Sequence, residues 1–401
     1  MSESAGIDPV AAAAKAAGAS GGGVSRAGLI GISLGVVAAG AAAGVAIERL
    51  TVGRAMRRRA REELDAAAPY GSLRGRSRTV PAADGTELYV ELDGTGWPDR
   101  DRPGERPAQA PLTVVFCHGY CLSQDSWHFQ RAALRAGARL VFWDQRSHGR
   151  SERSRSYLGG EPASIDQLGA DLKAVLDAVV PEGPVVLVGH SMGGMTVMAL
   201  AERHPELFGE RVVGAALIGT LAGDWDSVTL GLPVAGARLL KRLSPQVVRL
   251  LGRQAELVEA TRRFGSDVTS VFYRRYSFGT RDVDPAVARF AERLLDATPF
   301  EVVAEFYPAF SAHDKKAALA ALAGLPTLVL AGTKDLLTPP EYSEEIAARL
   351  PGTELVLVPD AGHLVMLEHP ATVDRHLAGL LLRAARHAGT EAPEAARDLL
   401  A

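Results

Sequence analysis

The pentapeptide Gly189-His190-Ser191-Met192-Gly193 follows directly on the apolar run Pro184-Val185-Val186-Leu187-Val188. A serine hydroxyl becomes a nucleophile when it is forced into the open and a base takes its proton. A sharp turn from a buried strand into a helix does the first. Small residues two positions either side let the chain pass close to itself there. Gly189 and Gly193 hold those two positions. The spacing predicts a strand over Val185–Val188, a nucleophile at Ser191 and a helix over Met192–His204, with Met195, Val197, Met198, Leu200 and Ala201 on its apolar side. A Gly-Ser turn without chemistry has the same form, so the rest of the chain must supply the support.

The elements needed to position such a serine are present. Ser77–Val80 and Glu87–Leu92 flank Asp84-Gly85 and read as a β-hairpin. Further strands are expected at Leu112–Cys117, Arg139–Trp143, Val212–Ile218, Thr327–Ala331 and Glu354–Val358. They alternate with helical segments, a pattern that argues for an α/β fold with a mainly parallel sheet covered on both faces. Ser164-x-x-Gln167 reads as a capping box. Beyond it Ile165, Leu168, Leu172, Val175, Leu176 and Val179 fall on one helix face. The alternation breaks between Leu221 and Ala318, where apolar residues recur at helical spacing with no good strand, so a helical insertion is expected. The polar, Ala-rich tail from Ala388 is expected to fray.

Of the 401 residues 47% are hydrophobic, enough for a sizeable core, and the net charge of −3 gives no electrostatic case for nucleic acid. The two cysteines, Cys117 and Cys121, lack a second Cys/His pair nearby, and Cys117 closes an apolar run. A buried thiol is the expectation there, with no metal site and no disulfide framework. Residues 1–26 are Ala, Gly and Ser rich with no packing pattern. Ala27–Ile47 is uncharged and long enough to span a bilayer as a helix, which predicts membrane contact through residues 27–47. Arg49, Arg54, Arg57, Arg58, Arg59 and Arg61 follow it in a basic linker, against Lys15 and Arg26 before it. That asymmetry predicts an anchored chain with its C-terminal domain in the cytoplasm; the alternatives are a cleaved secretion signal on a secreted protein, or a soluble Ala-rich helix on a cytoplasmic one.

From about Val80 to Arg386 the chain resembles the α/β-hydrolase superfamily. The motifs are His118-Gly119-Tyr120, Asp144-Gln145-Arg146-Ser147-His148-Gly149-Arg150-Ser151, the Ser191 elbow, Gly332-Thr333-Lys334-Asp335 and Asp360-Ala361-Gly362-His363, each after a strand and in the family's order. The resemblance implies an α/β-hydrolase fold with a core over 73–220 and 319–387 and a helical cap over 221–318. It also implies a triad in which Ser191 attacks, His363 takes and returns the proton and Asp335 orients the imidazole. Backbone N–H groups of Tyr120 and Met192 are implied as the oxyanion hole. Asp224 and Asp226 are rivals for the acid, because some relatives place it after the preceding strand. His118, Arg146 and His148 read as loop braces. Ser147 departs from the family, where glycine is commoner, and bears on local loop geometry.

Serine at the elbow points to acyl transfer through an acyl-enzyme, with no cofactor. Phe272, Tyr273, Phe306, Tyr307 and Phe310 in the insertion are candidates for an apolar acyl pocket. The expected activity is hydrolysis of a carboxylic ester of a hydrophobic acyl group, a small-molecule or lipid ester. The alternatives are an acyltransferase or a cofactor-free haloperoxidase-like enzyme with the same triad. A non-catalytic binding or scaffold protein ranks below both.

Overall fold

Apolar runs at regular intervals become strands when layers on both sides take up their side chains. The computed structural model describes residues 59, 62–97, 110–231 and 274–401. Residues 64–401 form one unit; of the other, residues 1–63, only 59, 62 and 63 are described. The strands are β1 (Arg76–Pro81), β2 (Glu87–Gly94), β3 (Thr113–Cys117), β4 (Arg139–Trp143), β5 (Val185–His190), β6 (Val212–Ile218), β7 (Thr327–Gly332) and β8 (Glu354–Val358). They make one sheet in the order β1-β2-β4-β3-β5-β6-β7-β8. β1 with β2 and β2 with β4 pair antiparallel, and every other pair is parallel. This is an α/β fold on a mostly parallel sheet, as the spacing of the runs predicts.

Side-chain alternation splits each central strand between two cores. Val114 and Phe116, Leu140 and Phe142, Val186 and Val188 face one core. Val115 and Cys117, Val141 and Trp143, Val185 and Leu187 face the other. Each such side chain contributes about 1.5–3 kcal/mol of transfer free energy. The helices that use it are α1 (His128–Leu134), α2 (Ile165–Val179), α3 (Met192–Arg203), α4 (Pro285–Asp296), α5 (Phe300–Ser311), α6 (Pro340–Arg349), α7 (Pro370–His387) and α8 (Glu394–Asp398). A third apolar cluster joins Met192 and Met195 of α3 to Val302, Phe306 and Phe310 of α5. It sets a helix of the insertion directly against the helix that follows Ser191. The described residues of the insertion between β6 and β7 are helical or irregular, with no strand.

Three expectations need correction. The Ser164 box is half formed: Gln167 N–H donates to Ser164 Oγ at 3.2 Å, but the Gln167 amide turns away to Ser156 Oγ at 2.6 Å. β5 runs past Val188, because Gly189 and His190 still pair with Leu217 and Ile218. The tail does not fray throughout: α8 buries Ala395 and Ala396, and Ala395 N–H reaches the Gly137 carbonyl at 3.5 Å. A composition poor in large apolar residues hid this, since two methyl groups suffice where the surface opposite is a glycine. The expected span at 27–47 lies outside the described residues, among which no helix is long and apolar enough to cross a membrane. Phe272 and Tyr273 lie outside them too.

Candidate active site

β5 delivers Ser191 to the carboxyl edge of the sheet, where open α/β sheets build their sites. Ser191 stands at φ 52° and ψ −118°, far from the extended geometry of an ordinary helix N-cap, and its hydroxyl does not cap α3. The side chain of a residue at this position normally turns back onto the helix; here it is released. Two glycines make the turn possible by close approach. A Cβ on Gly189 would lie 2.5 Å from the Gly193 carbonyl oxygen, and one on Gly193 would lie 2.1 Å from that of Cys117. The second approach presses the elbow onto the end of β3. Ser191 N–H donates to the Ile218 carbonyl at 2.9 Å, and its own carbonyl accepts from Thr220 Oγ1 at 2.8 Å.

The late strands bring the other two residues together. His363 Nδ1 and Asp335 Oδ2 are 2.8 Å apart, both residues being buried. The carboxylate is fixed from behind: Oδ1 accepts the N–H groups of Leu337 and Thr338 at 2.8 and 2.9 Å. Thr338 Oγ1 donates to Oδ2 at 2.8 Å and lies 3.2 Å from His363 Nδ1. With both oxygens so held, one lone pair remains aimed at the imidazole. Facing a carboxylate, Nδ1 is assigned as the N–H donor, which leaves Nε2 as a hydrogen-bond acceptor. His190, next to the serine, donates Nε2–H to the His363 carbonyl at 2.9 Å. Burial holds His190 well below the ordinary histidine range, so it stays neutral in this bracing role. Thr338 and the His190 contact carried no sequence signal beyond closeness to the motifs.

The loop after β3 is braced in the same manner. His118 donates Nδ1–H to the Gly119 carbonyl at 2.7 Å, and its Nε2 accepts from Gln145 N–H at 2.9 Å. Gln145 returns a bond to the His118 carbonyl at 2.6 Å and takes one from Thr196 Oγ1 at 2.7 Å. Burial lowers the His118 pKa to about 3. A ring using both nitrogens on backbone groups carries no proton in a reaction. Arg146 forks onto Asp171 at 2.6 Å and reaches Asp84 at 2.9 Å, tying the loop after β4 to α2 and to the β1–β2 turn. Tyr120 and Met192 lie at the ends of the two segments that Gly193 presses together. As the first residue of α3, Met192 has an N–H that no helical carbonyl reaches. The Tyr120 hydroxyl donates to the Val303 carbonyl of α5 at 2.5 Å.

The rival acids are placed elsewhere. Asp224 pairs with Lys316, and Asp226 Oδ1 accepts from Ser311 Oγ at 3.4 Å. Neither pairs with His363. Cys117 is fully buried and accepts the Trp143 indole N–H at 3.4 Å. Ser147 does more than shape its loop: its hydroxyl donates to Glu305 of α5 at 2.7 Å. Glu305 was invisible in the sequence because a lone acid in a helical stretch reads as a solvated face.

The sequence profile described as alpha/beta hydrolase fold matches residues 113–370. Among curated proteins, the chain is 29% identical over 264 residues to the sn-1-specific diacylglycerol lipase ABHD11 of Mus musculus, covering 64% of this chain and 76% of that one. It is 27% identical over 275 residues to the dihydrolipoyllysine-residue acetyltransferase component of the acetoin cleaving system of Pseudomonas putida. That match covers 68% of this chain and spans only 63% of the relative's length. Among solved structures, a thermophilic esterase from Thermogutta terrifontis is similar with a TM-score of 0.58 and 25% identity, covering 77% of this chain and 98% of its own. With the profile spanning more than half of its length and the sheet order already in place, the chain belongs to the alpha/beta hydrolase fold family, as an enzyme of the serine-hydrolase type.

Proposed function

We propose that the protein hydrolyses a carboxylic ester of a hydrophobic acyl group through an acyl-enzyme, with Ser191 as nucleophile, His363 as general base and Asp335 as its orienting acid. The observation that carries the reading is the Asp335–His363 contact of 2.8 Å, joined through His190 to the elbow that presents Ser191. Ser191 Oγ attacks the carbonyl carbon as its proton passes to His363 Nε2, and Asp335 stabilises the imidazolium. The oxyanion that forms is met by the N–H groups of Met192 and Tyr120. Collapse breaks the ester bond and His363 returns the proton to the departing alcohol. Water then attacks the acyl-enzyme along the same path. The apolar cluster of Met192, Met195, Val302, Phe306 and Phe310 supports a hydrophobic acyl group and the reading of the insertion as a cap. The named activities of the lipase and esterase relatives point the same way. Labelling with a fluorophosphonate probe tests the reading. The parent should label and Ser191→Ala should not, and Asp335→Asn should lower nitrophenyl-ester kcat by at least 100-fold. Label retained on Ser191→Ala removes the assignment.

The acetyltransferase in one relative's name gives a specific reason to test acyl transfer. Product analysis with an added alcohol or peroxide separates transfer from hydrolysis. We further propose that residues 27–47 anchor the chain, on the strength of their uncharged length. The full chain should then sediment with membranes through carbonate washing while residues 64–401 remain in the supernatant. Sedimentation of both, or of neither, refutes the anchor.

A further inference from the structure

Ser147 adopts φ 65°, a backbone region where a side chain is unfavourable. Its side chain is held by specific contacts. Its hydroxyl donates to Glu305 Oε1 at 2.7 Å and accepts the Ser154 N–H at 3.0 Å. Arg153 Nη2 donates to Glu305 Oε2 at 2.9 Å. Glu305 is 2% exposed, and burial pushes its carboxyl above the ordinary range while Ser147 and Arg153 pull it back. A buried carboxylate persists only when partnered. Both partners of this one come from the loop after β4, and the acid comes from α5. On the same helix, Phe306 meets the ring of His148 at 5.2 Å, Phe310 meets that of Tyr120 at 5.0 Å, and the Val303 carbonyl takes the Tyr120 hydroxyl. The polar clamp and the apolar wall are therefore parts of one helix. Fixing Glu305 fixes the rotation and height at which Phe306 faces His148 and Phe310 faces Tyr120.

We propose that Ser147, Glu305 and Arg153 are positioning residues that seat α5 as a wall of the acyl pocket, and that this clamp sets which acyl chains the site accepts. The proposal rests on the reading of Ser191 as nucleophile and acts through α5, away from the reacting atoms. Glu305→Gln removes the charge that Arg153 meets. Ser147→Gly removes the hydroxyl while relieving the positive φ. For each, the ratio of kcat/KM on octanoyl to that on acetyl nitrophenyl ester is measured. The ratio is independent of how much enzyme is folded, so a general loss of stability leaves it unmoved. We expect it to change at least fivefold in both variants, mainly through KM. Amide exchange over 300–311 should quicken at least tenfold, while 192–203 keeps its protection. A ratio within twofold of the parent's overturns the proposal. Should either variant fail to fold, Arg153→Met at the 34%-exposed partner is read in the same way. If the parent hydrolyses no ester, the Ser191 reading fails, and unchanged exchange over 300–311 in the variants rejects the clamp independently.

Discussion

Asp374 sits 7% exposed on α7, its Oδ1 accepting from Gln130 Nε2 at 2.9 Å. Burial raises its pKa from 3.8 to about 6, with the Gln130 hydrogen bond pulling the other way. The folded chain thus binds this proton more tightly than the unfolded chain. Stability from the neutral form is present below about pH 4 and is lost as pH climbs to about 6. Asp374→Asn keeps an acceptor for Gln130 without the charge. It should raise unfolding free energy at pH 7.5 by about 2–3 kcal/mol and leave it nearly unchanged at pH 4, as read by urea denaturation at the two pH values. An equal change at both would mean that packing, and not ionisation, governs the site. Thr338 shows a residue-scale limit of sequence reading. Nothing distinguishes it from any threonine after a turn until the fold sets its hydroxyl between Asp335 and His363.

At the scale of elements, the sequence carried most of what local patterning determines. Val212–Ile218 could be read to the residue, because a fully buried strand demands an unbroken apolar run, and so could Arg139–Trp143, where only the half-buried arginine at its start departs from that pattern. The elbow was legible because its two glycines answer a steric demand that no other residue meets. Asp335 and His363 were legible from motif and order, each just beyond a strand end. What stayed hidden was partnership across distance. The choice of Asp335 over Asp224 depends on which strand end faces His363, and that is a property of strand order. The role of Ser147 depends on Glu305, 158 residues away, and no local pattern links them. The helix at Glu394–Asp398 was missed because alanine burial leaves almost no trace in composition.

The described part of residues 64–401 is a sheet clasped between two cores, with a third core shared by α3, the start of α2 and the insertion. The turn at Ser191 is held by β5, by the Ile218 carbonyl and by the pressure of Gly193 on β3. Its φ of 52° is one that L-residues other than glycine resist, at about 1–3 kcal/mol. Glycine would rest there at ease, and its looser denatured ensemble would take back part of the gain. A Ser191→Gly protein is therefore expected to be inert and about 1 kcal/mol sturdier than its parent in chemical denaturation. With Ser191 as the proposed nucleophile, reactivity and endurance are opposed at this one torsion. A form that has lost its chemistry should outlast the working enzyme, and with an uncleaved ester it offers a means of trapping the substrate in place.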